Sequence, residues 1–236
     1  DQLNFKAGVL LLLGLSGLAL VLLVPRLRIE PRDGRTEPPP TTEGPNSAHL
    51  LLVAWVANFS AYFAFSGINY QLADLGKKHL EIGVTMLGLL AFVINLARFG
   101  GFFALRRLSG WHYSPGWLFI VQLVTALALL GLSGLDSPVF YFALLPLVGI
   151  FSALAYSLSF YYGLRVPSKG GRNSGLHEAA LSMGLTLGPL ACGAAARALP
   201  DWPAVALAAA GSMILLALTA ELIIMKINRG GKQPGG

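Results

Sequence analysis

The stretch at 49–70, HLLLVAWVANFSAYFAFSGINY, decides which solvent this chain folds in. It contains no Asp, Glu, Lys or Arg. A helix of that length covers about 30 Å, the thickness of bilayer hydrocarbon. The core helices of soluble domains are shorter and amphipathic. Similar stretches lie on either side. One precedes it, at Ala7–Val24, and five follow, at Ile82–Leu105, Trp117–Leu135, Val139–Tyr162, Ser174–Ala196 and Ala204–Ile227. The expected fold is an all-α, polytopic transmembrane helix bundle of about seven spans.

Composition agrees, with 55% hydrophobic and only 12% charged residues in 236. The net charge of +6 would suit nucleic acid, but the charges are placed otherwise. Arg26, Arg28, Arg32 and Arg35 follow the first span, Arg106 and Arg107 the third, and Arg165, Lys169 and Arg172 the fifth. Lys226, Arg229 and Lys232 follow the seventh, while the opposite side holds only Lys6, Lys77, Lys78 and Arg197. Basic loops stay cytoplasmic, so the long loop after the first span and the C-terminus are expected inside. No aromatic residues interleave with these charges in the manner of a nucleic-acid surface, and no nucleic-acid partner is expected. The expected location is the plasma (bacterial inner) membrane.

The chain divides into a single helix at 1–25, a cytoplasmic linker at 26–47, a six-helix bundle at 48–228 and a cytoplasmic tail at 229–236. The linker carries three consecutive prolines, Pro38 to Pro40, and mixed charges, a composition that cannot bury apolar surface. The first span is too long for a signal-peptide core and is followed by Arg26 and Arg28, which favour retention. The sequence opens on Asp1 and reads as a fragment or processed portion of something longer. The lone Cys192 sits among small residues and reads as packing.

An internal repeat runs through the bundle. Glu81-Ile82-Gly83-Val84-Thr85-Met86 at the entry to the third span parallels Glu178-Ala179-Ala180-Leu181-Ser182-Met183 in the sixth. Ala61-Tyr62 parallels Ala155-Tyr156. Spans two to four would then match spans five to seven, inverted in the membrane, as in secondary transporters.

Two local patterns join this topology. Near the end of the third span stands Arg98-Phe99-Gly100-Gly101, followed by Arg106-Arg107 and Gly110 after it. The sixth span carries Gly175-Leu176-His177-Glu178, then Gly184, Gly188-Pro189 and Gly193. With the central cytoplasmic loop, these make the chain resemble the C-terminal half of a major facilitator superfamily transporter, preceded by the last helix of the N-terminal half. The first pattern is similar to the family's glycine- and arginine-containing loop but lacks the usual acidic residue. The second is similar to its glycine-rich eleventh helix. The resemblance implies alternating access between two halves, so the partners are lipid, a small-molecule solute, and either the missing N-terminal half or a second copy.

Chemistry is sought first on the second span, where Asn58, Tyr62, Ser66, Asn69 and Tyr70 share one face. Ser152, Tyr156 and Ser159 repeat the theme on the fifth. The resemblance places both helices at the central cavity, making these residues the candidate cavity wall. Each alone has a simpler reading as an interhelical bond or an interfacial anchor. Asn95 and Arg98 lie one turn apart on the third span. Arg98 either snorkels to the cytoplasmic surface or pairs with Glu178 as a gate. Glu221 is expected to reach the cytoplasmic surface, leaving no acid near the midplane. Ala180, Gly184, Gly188 and Cys192 form a small-residue ridge for close helix packing, with Pro189 bending the helix. In the resembled family that ridge contacts the other half.

No catalytic motif is present, and no cofactor is expected. His49, His79, His112 and His177 are too scattered for a metal site. The expected function is secondary active or facilitative transport of a small solute, this chain being a partial carrier and not an enzyme. A seven-helix receptor or sensor and a non-transporting membrane assembly subunit are the alternatives.

Overall fold

The protein is described by a computed structural model covering residues 47–108, 115–166 and 171–230. The expected first span, residues 26–46 of the linker, Gly110, His112, Lys169 and residues 231–236 lie outside the described residues. Those described are all-helical with no strand: α1 Ser47–Lys78, α2 Val84–Arg107, α3 Pro115–Leu132, α4 Pro138–Leu144, α5 Pro146–Arg165, α6 Arg172–Ala198 and α7 Val205–Gly230. Six helices are long and apolar enough to cross a membrane, with α4 and α5 together making one of them. This suggests a multi-pass membrane protein.

Proline and glycine punctuate the chain where physics requires. Pro115, Pro138 and Pro146 open α3, α4 and α5, where a missing N–H costs nothing. Pro146 also interrupts the fifth span, because it cannot donate to the preceding turn. Gly171 enters α6 at φ +74°, in the left-handed region. α6 then runs unbroken through Pro189. α1 continues about two turns beyond Tyr70, past the apolar window, burying Gln71, Leu72 and Leu75 and pairing Lys78 with Asp74 at 3.3 Å.

α1 is the central helix: 67% of its span is buried, against 11% for α2 and 17% for α6. It packs chiefly on α6, α7 and α5, while α2 rests mainly on α5 and α3 on α7. One pairing is consistent with the expected repeat. Exchanging the units turns the α1–α6 contact into the α5–α2 contact, and both are extensive. The repeat-related Tyr62 and Tyr156 meet, their ring centroids 6.4 Å apart.

Small residues set these close approaches. On α5, Gly149 lies against the Ile94 carbonyl and Arg98 amide of α2. On α6, Gly188 lies against the Phe63 carbonyl of α1, and a Cβ on Gly184 would stand 2.5 Å from the Phe59 carbonyl. The other end of the bundle is tied by side chains. His79 approaches the Leu135 carbonyl at 3.1 Å, Tyr141 donates to the Leu132 carbonyl at 3.0 Å, and Trp202 donates to the Ser133 carbonyl at 2.7 Å.

Candidate functional site

The polar face of α1 is turned largely inward. Asn58 is completely buried, and neither its amide nitrogen nor its oxygen finds a partner among the described residues. Tyr62, one turn on, is also buried. Ser66 donates to the Tyr62 carbonyl at 2.7 Å and approaches the Gly184 carbonyl of α6 at 3.2 Å. Asn69 Nδ2 donates to the Phe65 carbonyl one turn back in its own helix, 2.7 Å away, and Tyr70 stands exposed. On α5, Ser152 is buried and bonds the Gly149 carbonyl. The bland alternative, local and interhelical bonding, thus describes Ser66, Asn69 and Ser152. It does not describe Asn58.

Arg98 lies where the polar faces converge. Its Nη2 donates to the Tyr62 hydroxyl at 2.5 Å. The guanidinium carbon stands 5.0 Å from the Tyr62 ring centroid, 4.6 Å from Phe65 and 5.8 Å from Phe102. Three rings from α1 and α2 thus hold the cation, substituting quadrupoles for water. The expected charge pair is absent: among the described residues Arg98 makes no ion pair with Glu178, which is exposed and stands 3.8 Å from His177 Nε2. Asn95 points outward and bonds the Ala91 carbonyl, so the two residues form no cluster.

Beyond Tyr62 the aromatic cluster continues through Tyr156 to His177. The Tyr156 ring meets Phe102 edge-on at 5.7 Å and His177 at 4.7 Å. His177 is buried, with Nδ1 2.7 Å from the Ser159 hydroxyl and Nε2 without a hydrogen-bond partner. Arg98 Nε is likewise buried and unpartnered. Four helices, α1, α2, α5 and α6, therefore enclose an aromatic interior in which several polar atoms remain unsatisfied. Next to it, a groove of about 430 Å³ between α2 and α5 is lined by Phe102, Arg106, Arg107, Tyr156, Phe160 and Tyr161.

Three readings of the sequence are corrected. The small-residue ridge is not an open interface. Gly184, Gly188 and Cys192 are buried, the glycines against α1, while Ala180 is half-buried at its end. Glu221 does not reach the surface: it is completely buried and accepts a hydrogen bond from Gln122 Nε2 of α3 at 2.9 Å. Arg98 and Glu178 are not partners, as described above. Phe65, Phe102, His177 and Gln122 were missed because each owes its place to another helix. Only His177 left a signal, as a histidine entering an apolar run.

Compared with protein-family models, curated proteins and solved structures, this chain matches none.

Proposed function

We propose that the chain forms one half of a carrier that moves a small solute across the membrane by alternating access, with the side chains clustered around Arg98 recognising or responding to that solute. The carrying observation is the set of buried, unpartnered polar atoms: Asn58 Oδ1 and Nδ2, His177 Nε2 and Arg98 Nε. Buried polar atoms ordinarily find partners, and hydrocarbon offers them none. A neutral solute with hydroxyls or amides supplies donors and acceptors together. Sugars, nucleosides and polar drugs share that chemistry. The rings of Tyr62, Tyr156 and Phe102 offer faces for its apolar side.

A second support is the exposed edge of α6. Glu178, Ser182 and Thr186 follow one another at four-residue intervals, all accessible. Polar side chains at membrane depth face protein or a watery cavity. That edge suits closure by a second half, either an N-terminal half outside this sequence or another copy of the bundle. The resemblance to major facilitator transporters agrees. The assembly-subunit reading rested on a free small-residue ridge, and α1 already fills that ridge.

The test is solute flux in vesicles containing the full gene product, screened against sugars, nucleosides and amphiphilic drugs. Asn58→Ala and Tyr156→Phe should each cut flux at least tenfold while leaving membrane insertion intact. Gly184→Leu should abolish folding and flux together. Wild-type flux from both of the first two variants would sink the proposal.

A further inference from the structure

Of the acidic residues described, Asp74, Glu81, Asp136, Glu178 and Asp201 are exposed, and only Glu221 is sealed. It lies on α7 about 14 Å from the helix end at 1.5 Å per residue, within the apolar span. Gln122 faces it from α3, also completely buried. One hydrogen bond joins them, from Gln122 Nε2 to Glu221 Oε1 at 2.9 Å. The other two atoms of the pair, Gln122 Oε1 and Glu221 Oε2, are both buried without partners.

An ionised carboxylate cannot account for this arrangement. It would leave both remaining acceptors of the pair without a donor, and it would place a charge in a low-dielectric interior. No lysine or arginine of the helices packed on α7 forms an ion pair with it among the described residues. α3 carries no charged side chain. The titratable and charged groups of α1 are His49, Tyr62, Tyr70, Asp74, Lys77 and Lys78, and those of α6 are Arg172, His177, Glu178, Cys192 and Arg197. Glu221 Oε2 has no hydrogen-bond partner, and none of these groups other than His49, nor the exposed Lys226 on α7 itself, makes an ion pair or hydrogen bond with Glu221. One proton resolves both defects. Placed on Glu221 Oε2, it makes that atom a donor, and Gln122 Oε1 is the acceptor waiting in the same pair. A carboxylic acid and a primary amide then close a ring of two hydrogen bonds.

We infer that Glu221 and Gln122 form a proton-binding site that latches α7 to α3. The bound proton is part of the folded bundle. Its loss would leave two buried acceptors without a donor in the α3–α7 contact and weaken that seam. This site stands apart from the side chains around Arg98 and does not depend on the transport proposal.

The experiment is infrared spectroscopy of the full protein in lipid at neutral pH, reading the carbonyl stretch that only a protonated carboxyl shows. The wild type should show this band, and carboxyl-¹³C labelling of glutamate should shift it. It should vanish in Glu221→Gln, which keeps a neutral, doubly bonding pair and should melt close to wild type. Gln122→Leu should retain the band at a shifted position, having lost its acceptor. The labelled wild type makes the test independent of whether either variant folds. Absence of a glutamate-sensitive band would overturn the inference. So would a band abolished by adding sodium ions, since the pair would then be a cation site emptied of its metal.

Discussion

At the residue scale the decisive contact is between a cation and a phenol. Arg98 in apolar surroundings needs its charge shared, and Tyr62 provides both a hydroxyl and a ring face. Tyr62→Phe keeps the ring and removes the acceptor, leaving Arg98 with a second unpartnered nitrogen beside Nε. The expected loss is about 1–3 kcal/mol of stability, read as a lower unfolding midpoint in detergent. An unchanged midpoint would mean that the rings alone hold the guanidinium. Ser159→Ala should act through His177, whose Nδ1 would then lose its partner as Nε2 already lacks one. A fall of about 1 kcal/mol or more is expected in the same assay. Tyr62, Tyr156 and Ser159 were legible in the sequence as members of polar helical faces. The rings of Phe65 and Phe102 were not, because a phenylalanine in an apolar span reads as lipid-facing until another helix supplies the cation.

At the element scale, backbone proximity separates glycines that the sequence presents alike. Gly188 and Gly149 lie against backbone atoms of a facing helix, which cannot swing aside as a side chain can. Ala at either position should cost roughly 1–3 kcal/mol, as overpacking does. Gly100 and Gly175 are also helical, but a Cβ there meets nothing within 4 Å. Ala at those two positions should be neutral or gain up to about 1 kcal/mol from helix propensity. Thermal unfolding followed by tryptophan fluorescence distinguishes the two classes, and equal effects would contradict the packing described. The Gly184–Gly188 spacing announced a close contact in the sequence. It could not say that α1, rather than a second half, makes that contact.

At the scale of the whole molecule, the placement of charge sets the orientation. Basic residues gather at the ends of α2, α5 and α7 and at the start of α6, on the side expected to be cytoplasmic. In a Cys192→Ala background, a cysteine at Lys78 should react with an impermeant reagent from outside intact cells. One at Lys226 should react only after permeabilisation. The reverse pattern would invert the bundle. Cys192 itself is buried and should stay unlabelled in the folded wild type.

The sequence by itself determined the helical class, pointed to a bilayer as the solvent, and placed the limits of the six described spans to within about two turns. Those features depend on hydrophobicity summed along a segment, and a bilayer reads the sum without reference to neighbours. The two tyrosines of the expected repeat, Tyr62 and Tyr156, meet in the structure. Only the tertiary structure decided which polar residues were sealed together. Arg98 turned to Tyr62 and not to Glu178, and Glu221 was drawn inward to Gln122, a residue 99 positions away. A helix face has a direction only once its partners are known. The fate of a buried charge is set by the nearest group that can replace water, whichever helix carries it.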